Sequence, residues 1–171
     1  MPYSLQKSTV SFPDRAPLKI RVEVTVKATA SQIWDILMDH SRWVEWYEGM
    51  ISCEETSPPE KKGVAGATRR VVLGGLEASE EFIVLIPERV WAFSVFESNA
   101  PLCKKWVERV VLEPVGGRPT DGTRIIYEAG MEQRWLGKLL KPIIVKGTKD
   151  AWRKSLDGID EYLERRKNSQ R

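Results

Sequence analysis

Residues 18–39 read LKIRVEVTVKATASQIWDILMD, and their hydrophobic period changes halfway along. Apolar and polar residues alternate strictly over 18–27, which predicts a strand with one buried face. Over 31–39 the apolar residues recur at helical spacing instead, behind Thr29 or Ser31, either of which can cap a helix. The fold is therefore expected to begin with a strand that passes directly into a helix.

The chain beyond this stretch changes to short strands. After a second short helix predicted over 43–47, six segments are rich in Val, Ile, Phe and Trp and are separated by Gly or Pro turns. Strands joined by such short turns are antiparallel; Gly74-Gly75 favours a tight hairpin, and Gly116-Gly117 predicts another turn. The six predicted strands are 51–56, 67–73, 76–86, 90–97, 104–113 and 123–134.

A long amphipathic helix is predicted from 136 to about 165, with a break or kink near Pro142. The order of strand, two helices, six strands and long helix predicts an α+β fold, in which a strongly curved antiparallel sheet of about seven strands wraps around the last helix. One helix cannot fill such a bent sheet, so an internal cavity is expected. We predict a single domain over 18–167, with an N-terminal arm over 1–17 and a tail over 168–171.

The composition excludes several classes of protein. The 171 residues contain no run of about 20 apolar residues, so no transmembrane span is predicted, and no secretory leader is expected. Cys53 and Cys103 are too few for a disulfide scaffold and are expected to be inert thiols of a cytoplasmic protein. Because the chain has one histidine, a His-rich metal site or a Ser-His-Asp triad is hard to build, and no metal or cofactor is predicted. That histidine, His40, is expected on the surface at a helix end, or alternatively as a pH-sensitive gate at the pocket mouth.

The charge is distributed unevenly along the chain. Residues 136–171 hold ten basic and five acidic side chains, whereas the rest of the chain has a net charge of −2. Basic residues at helical spacing are typical of the solvated face of an amphipathic helix, and no nucleic-acid-binding motif accompanies them. We therefore predict neither a nucleic-acid partner nor integral membrane association, and a monomer or homodimer.

Several local motifs resemble the START-like superfamily, also called SRPBCC or helix-grip, and within it the bacterial polyketide cyclase/dehydrase and lipid-transport family. The resemblance spans about 18–165. It implies a hydrophobic cavity between the sheet and the long helix, which holds a lipid, a sterol, a polyketide or another apolar molecule. The motifs that carry it lie at 28–39, 41–46, 63–69, 81–89, 112–117 and 122–125.

Alternation along the strands indicates which side chains face this cavity. Alignment on a glutamate of the family directs Glu81, Ile83 and Leu85 inward, where a buried Glu81 would have a raised pKa and serve as an acid, a base or a polar anchor. An ion pair of Glu81 with Arg69 or Arg70 is the structural alternative. The candidate ligand-binding residues are Trp43, Trp46, Arg69, Val71, Glu81, Ile83, Leu85, Phe93, Trp106, Ile143 and Ile144.

Two further residues are candidates for chemistry. Glu108 joins the cavity if Trp106 and Val110 also face inward, although a solvent-facing Glu108 paired with a neighbouring cation is equally consistent with the pattern. Tyr127 could offer its phenol to a carbonyl group. The candidate catalytic residues are thus Glu81, Glu108 and Tyr127, and three functions stay open: a carrier of an apolar ligand, a polyketide aromatase/cyclase or dehydratase without a cofactor, and an interaction protein with a vestigial cavity.

Overall fold

The structure, a computed structural model, describes residues 2–116, 118 and 121–169. These residues form eight strands, six α-helices and two short 3₁₀ helices. The strands are β1 (Tyr3–Ser4), β2 (Leu18–Val26), β3 (Met50–Glu55), β4 (Thr68–Leu73), β5 (Leu76–Ile86), β6 (Val90–Ser98), β7 (Cys103–Pro114) and β8 (Thr123–Gln133). The helices are α1 (Phe12–Arg15), α2 (Ala30–Met38), α3 (Trp43–Trp46), α4 (Trp135–Leu139), α5 (Lys141–Asp157) and α6 (Ile159–Ser169), with 3₁₀ turns at His40–Arg42 and Pro59–Lys61.

All eight strands belong to one antiparallel sheet. Its order is β2-β8-β7-β6-β5-β4-β3, and β1 pairs separately with β6. The sheet curves without closing, because its outer strands β2 and β3 do not pair with each other. Helix α5 buries Trp152 and Leu156, and α6 buries Ile159 and Tyr162, in the same core as the sheet. The predicted α+β helix-grip fold is therefore confirmed.

Local sequence signals account for the first elements. The Oγ1 atom of Thr29 accepts the backbone N–H of Gln32, and the Oε1 atom of Gln32 accepts the N–H of Thr29, so a capping box begins α2. The hairpin between β4 and β5 turns at Gly74 and Gly75, whose φ angles of 55° and 89° suit glycine. The turn predicted at 116–117 extends outside the described residues, because 117, 119 and 120 are not among them.

The N-terminal arm is more structured than its sequence indicates. Phe12 and Ala16 are buried against Val107 on the outer face of the sheet, so α1 covers that face. Gly130 makes this close approach possible, because a Cβ atom there would lie 2.6 Å from the Cα atom of Pro13. A four-residue helix is too short to leave a periodic pattern, and the sequence therefore predicted only an irregular arm.

The C-terminal helix is divided into three segments. A first break falls at Leu140, directly before the N-terminal turn of α5 with its Pro142, as predicted. A second break falls at Gly158, between α5 and α6. Helix α6 runs to Ser169, and residues 170–171 of the predicted tail lie outside the described part of the chain. Among the described helices, none is long and apolar enough to cross a membrane.

Candidate functional site

A groove of about 500 Å³ lies between the sheet and α5. Apolar side chains form most of its wall, and on the helix side Gly147 and Ala151 leave space. A smaller inner chamber of about 40 Å³ shares Tyr47, Trp106 and Glu108 with the groove, so the two spaces adjoin. The larger apolar side chains of the groove wall include Leu73, Leu76, Leu102, Met131, Ile144 and Trp152.

Glu108 is the polar group at which the two spaces meet. Its Oε1 atom accepts the indole N–H of Trp106 at 2.9 Å, and its Oε2 atom accepts the phenol O–H of Tyr127 at 2.6 Å. Burial, together with the nearby carboxylate of Glu80, raises the pKa of Glu108 to about 8 against the opposing effect of the two donors and of Arg69. Glu108 is thus a largely protonated acid at neutral pH.

Tyr127 is held in one orientation beside this acid. Its ring stacks on Trp152 of α5, with 3.8 Å between the ring centroids and 6° between the planes. Burial raises the pKa of Tyr127 well above its ordinary value, so the phenol keeps its proton. An acid with a pKa near the working pH, placed next to a fixed phenol, has the properties required for proton transfer or for binding a carbonyl or hydroxyl group.

Arg69 and Glu80 form a buried ion pair on β4 and β5. The Nε atom of Arg69 donates to the Oε2 atom of Glu80 at 2.6 Å, and both side chains are almost fully buried. The guanidinium also lies 4.2 Å from the ring centroid of Trp43 and 4.7 Å from that of Trp91. Each charge is therefore compensated. This ion pair and the aromatic rings around it lie at the end of the interior away from the groove, which we call the closed end.

The prediction that Glu81 and Ile83 face the cavity is wrong. Glu81 lies on the outer face and pairs with Lys7, whereas Ile83 packs against the cluster of α1. The glutamate selected by the alignment is one residue off, because Glu80 and Phe82 are the buried residues of this stretch. A β-bulge between Phe82 and Val84, where β5 has one residue more than β6, then brings Leu85 to the inward face opposite Trp91. The inward glutamate is Glu80.

The structure places most of the other predicted residues on the cavity walls. The inner chamber is lined by Trp43, Arg69, Val71, Phe93 and Tyr127, and the groove by Ile143 and Ile144, while Trp106 and Glu108 line both. Glu108 faces inward, so its solvent-facing alternative is wrong. Trp46 and Leu85 pack against the core without lining either space.

Several residues that line the groove or the inner chamber were not predicted from the sequence. Glu80 is the neighbour of the glutamate that the alignment selected, and Tyr47, Leu73 and Leu76 stand at the ends of elements, where alternation gives no direction. Gly147 and Ala151 were not among the candidate ligand-binding residues, although small residues on one face of a long helix are a signal of space beside it.

His40 follows the end of α2, as predicted, but it lies neither on the surface nor at the mouth of the groove. It is buried rather than at the surface, and its ring stacks on Phe82 with 5.3 Å between centroids, away from the groove. Neither ring nitrogen has a hydrogen-bond partner among the described residues. Burial, together with the positive charge of Arg69, lowers the pKa of His40 to about 3, so the imidazole is neutral at physiological pH.

The two cysteines are buried free thiols, as predicted. Burial raises the pKa of Cys53 to about 11 and that of Cys103 to about 12, so both are poor nucleophiles. Within the described ranges, His, Cys, Asp and Glu side chains do not gather in groups of three or more that could hold a metal ion.

Comparison with known protein families gives a match over most of the chain. The family model described as polyketide cyclase / dehydrase and lipid transport matches residues 17–164, which is most of the chain. The chain belongs to this family. The resemblance found in the sequence motifs is thereby confirmed. A search of curated proteins finds no significant match.

Solved structures of this fold are similar in shape but distant in sequence. A hypothetical protein of Helicobacter pylori is 14% identical, with a TM-score of 0.70 over 94% of this chain and 96% of its own. A START superfamily protein of Mycobacterium smegmatis is 16% identical, with a TM-score of 0.66 over 85% of this chain and 98% of its own. DynU16, from the dynemicin biosynthetic locus, is 22% identical, with a TM-score of 0.60 over 85% of this chain and 47% of its own. At these identities the likeness concerns the fold alone.

Proposed function

We propose that this family member binds a small apolar molecule with one polar group, and that it acts as a carrier or sequestering protein. The observation that carries the proposal is the groove of about 500 Å³ whose apolar walls end at the buried Glu108. Its volume lies within the range of about 300–1,000 Å³ that is usual for small-molecule sites. A polar group at the end of an apolar groove fixes the orientation of a ligand.

The protonation of Glu108 determines which polar group fits. Below a pH of about 8 the acid is mostly protonated and can donate its proton to a ligand carbonyl. Above that pH the carboxylate can only accept, which favours a ligand hydroxyl. We therefore expect the affinity for a ketone to fall as the pH rises through 8, and that for an alcohol of the same shape to hold or increase.

Binding of the neutral fluorophore Nile red, with fatty acids, sterols and polycyclic phenols as competitors, tests the proposal. Gly147→Phe and Ala151→Phe place a ring in the groove, and each should weaken Nile red binding by about tenfold or more. Gly147→Ala is the matched control, because a Cβ atom at Gly147 meets no atom within 4 Å; it should change the affinity less than about twofold. Native mass spectrometry of the freshly purified protein would identify any ligand that remains bound.

Two results would contradict this function. One is the absence of saturable binding for Nile red and for every competitor. The other is wild-type affinity in both phenylalanine variants while circular dichroism shows them folded, since the ligand would then lie elsewhere.

A second candidate function is supported by the pKa of Glu108. Near pH 8 a substantial fraction of Glu108 is ionised and can accept a proton from a substrate, while the protonated Tyr127 phenol donates a hydrogen bond to the substrate carbonyl. A base and a donor placed side by side suit a cyclase or dehydratase. Incubation with a synthetic poly-β-ketone thioester tests it by mass spectrometry of the products. Turnover should be lost in Glu108→Gln and Tyr127→Phe although both variants still bind Nile red; product formation at the spontaneous rate with wild-type protein would exclude this function.

A further inference from the structure

The three most exposed large apolar side chains among the described residues lie in one short segment. Trp135 is 74% exposed, Ile143 70% and Leu139 69%. Trp135 and Leu139 belong to α4, and Ile143 belongs to the first turn of α5. An exposed apolar cluster of this kind on a protein surface marks an interaction site.

The segment that carries this cluster has positively charged side chains only. Residues 134–149 contain five basic and no acidic side chains. Arg134 is engaged with backbone carbonyls of Cys103 and Ser4, and Lys146 pairs with Asp150. Lys138 and Lys141 are exposed beside the apolar side chains, and within the described part of the chain no carboxylate lies within salt-bridge distance of either.

We propose that residues 135–143, the docking face, rest on the surface of an anionic lipid bilayer. Tryptophan suits the membrane interface because its ring is apolar while its N–H is polar, and lysines extend toward the lipid head groups from an apolar face. The described helices include none that could span a membrane, so the association is peripheral. Ile143 belongs both to this face and to the groove wall, so docking would bring the groove against the lipid surface.

Charge decides between this partner and a second copy of the chain. In a symmetric dimer built on the docking face, the lysines of one copy would meet the same lysines of the other, without a carboxylate in 134–149 to compensate them. Anionic head groups supply the missing negative charge. The inference extends beyond the proposed function, because it concerns where the protein docks and not what it binds.

Vesicle flotation tests the docking face with the full chain. Wild-type protein should float with vesicles containing about 30% phosphatidylglycerol at about 0.1 M salt, and should stay in solution with pure phosphatidylcholine or at about 1 M salt. Lys138→Gln with Lys141→Gln should weaken partitioning about 25-fold, since each lysine near an anionic surface contributes about fivefold. Trp135→Ala with Leu139→Ala should weaken it at least about tenfold.

Lys61 of the 3₁₀ turn and Lys62 directly after it lie outside the docking face and provide the matched control. Lys61→Gln with Lys62→Gln removes the same charge from exposed positions and should float as the wild type does, within about twofold. None of the four docking-face substitutions touches a groove-lining residue, so Nile red binding in solution should persist in all of them, and a failure of flotation leaves the proposed function standing.

Three outcomes would overturn the docking face. They are equal flotation with neutral and anionic vesicles, wild-type flotation of both double variants, and a dimer in sedimentation equilibrium that Trp135→Ala with Leu139→Ala turns into a monomer. The last would assign the face to a second copy of the chain.

Discussion

The two ends of the interior under the curved sheet are built in opposite ways. At the closed end, the rings of Trp43, Phe82, Trp91 and Phe93 surround the guanidinium of Arg69 at 4.2 to 5.3 Å. At the groove end, α5 presents small side chains to a space of about 500 Å³. The closed end therefore contributes close packing and a compensated ion pair, whereas the groove end leaves space for a ligand.

Buried ionisable groups follow the same division. The closed end holds a compensated pair and a histidine whose pKa is lowered to about 3, whereas the groove end holds an acid whose pKa is raised to about 8. His40 therefore lowers the stability of the folded protein at acid pH, and Glu108 lowers it at alkaline pH. The following substitutions test these differences, in order of decreasing effect.

Arg69→Met should have the largest effect, because it leaves the carboxylate of Glu80 buried without its partner. The expected loss in the free energy of unfolding is about 3–5 kcal/mol, measured by urea denaturation. Arg70→Met is the control on the neighbouring residue, whose ion pair with Glu77 is exposed; it should cost less than about 1 kcal/mol. A double variant with Arg69→Met and Glu80→Leu should regain much of the loss. Equal effects at 69 and 70 would show that the closed end is not held by this pair.

Glu108→Gln should change the alkaline side of the stability profile. The folded-state pKa of about 8 lies above the ordinary 4.5, so the folded protein binds more protons between these values and loses stability as the pH rises. The variant lacks this proton, and its stability relative to the wild type should improve by about 3 kcal/mol between pH 5 and pH 8. Parallel profiles for the two proteins would mean that Glu108 titrates normally.

His40→Phe should have the opposite effect at acid pH. Because the folded-state pKa of about 3 lies below the ordinary 6.5, the unfolded protein binds more protons in this window, and stability is lost as the pH falls from 6.5 toward 3. Between pH 8 and pH 5 the wild type should lose about 2 kcal/mol more than the variant, whose phenyl ring keeps the stack on Phe82. A titration of His40 by NMR with a pKa near 6.5 would refute this.

Gly147→Ala should have the smallest effect and a favourable sign. Its Cβ atom would meet nothing within 4 Å, so the higher helix propensity of alanine should add about 0.5–1 kcal/mol to the free energy of unfolding. Gly137→Ala is the contrasting variant, because its Cβ atom would overlap the carbonyl oxygen of Leu102 and should destabilise the protein. If Gly147→Ala also destabilises, the helix wall of the groove is less open than described.

Sequence periodicity was sufficient to predict most strands and helices, because an element with one buried face leaves a regular pattern of apolar residues. The alternation of β2, the capping box of α2 and the Gly74-Gly75 hairpin are local signals, and each matches the structure. Helix α1 left no comparable signal, since four residues acquire their position from the sheet against which they pack. Element order then led to the curved sheet around the C-terminal helix.

The site was predicted only in part, for reasons of register and burial. Glu108 and Tyr127 lie on regularly paired strands, but alternation alone left the face of Glu108 open, and the hydrogen bond from Tyr127 shows that it points inward. On β5 the alignment selected Glu81 in place of its buried neighbour Glu80, and the extra residue after Phe82 then reverses the alternation. His40 is covered by the ring of Phe82, which lies on the distant strand β5, so the sequence around residue 40 does not predict its burial.

Gly137 fixes the position of the groove rim at Leu102, because the main chain of α4 lies directly against the main chain there. No side chain separates the main chain of α4 from the carbonyl of Leu102, so this side of the rim is fixed by the contact of two backbones. Gly147 on α5 faces open space instead, and a Cβ atom there would meet no atom within 4 Å. The groove can therefore be resized from the helix side by single substitutions, while the rim at Leu102 keeps its shape.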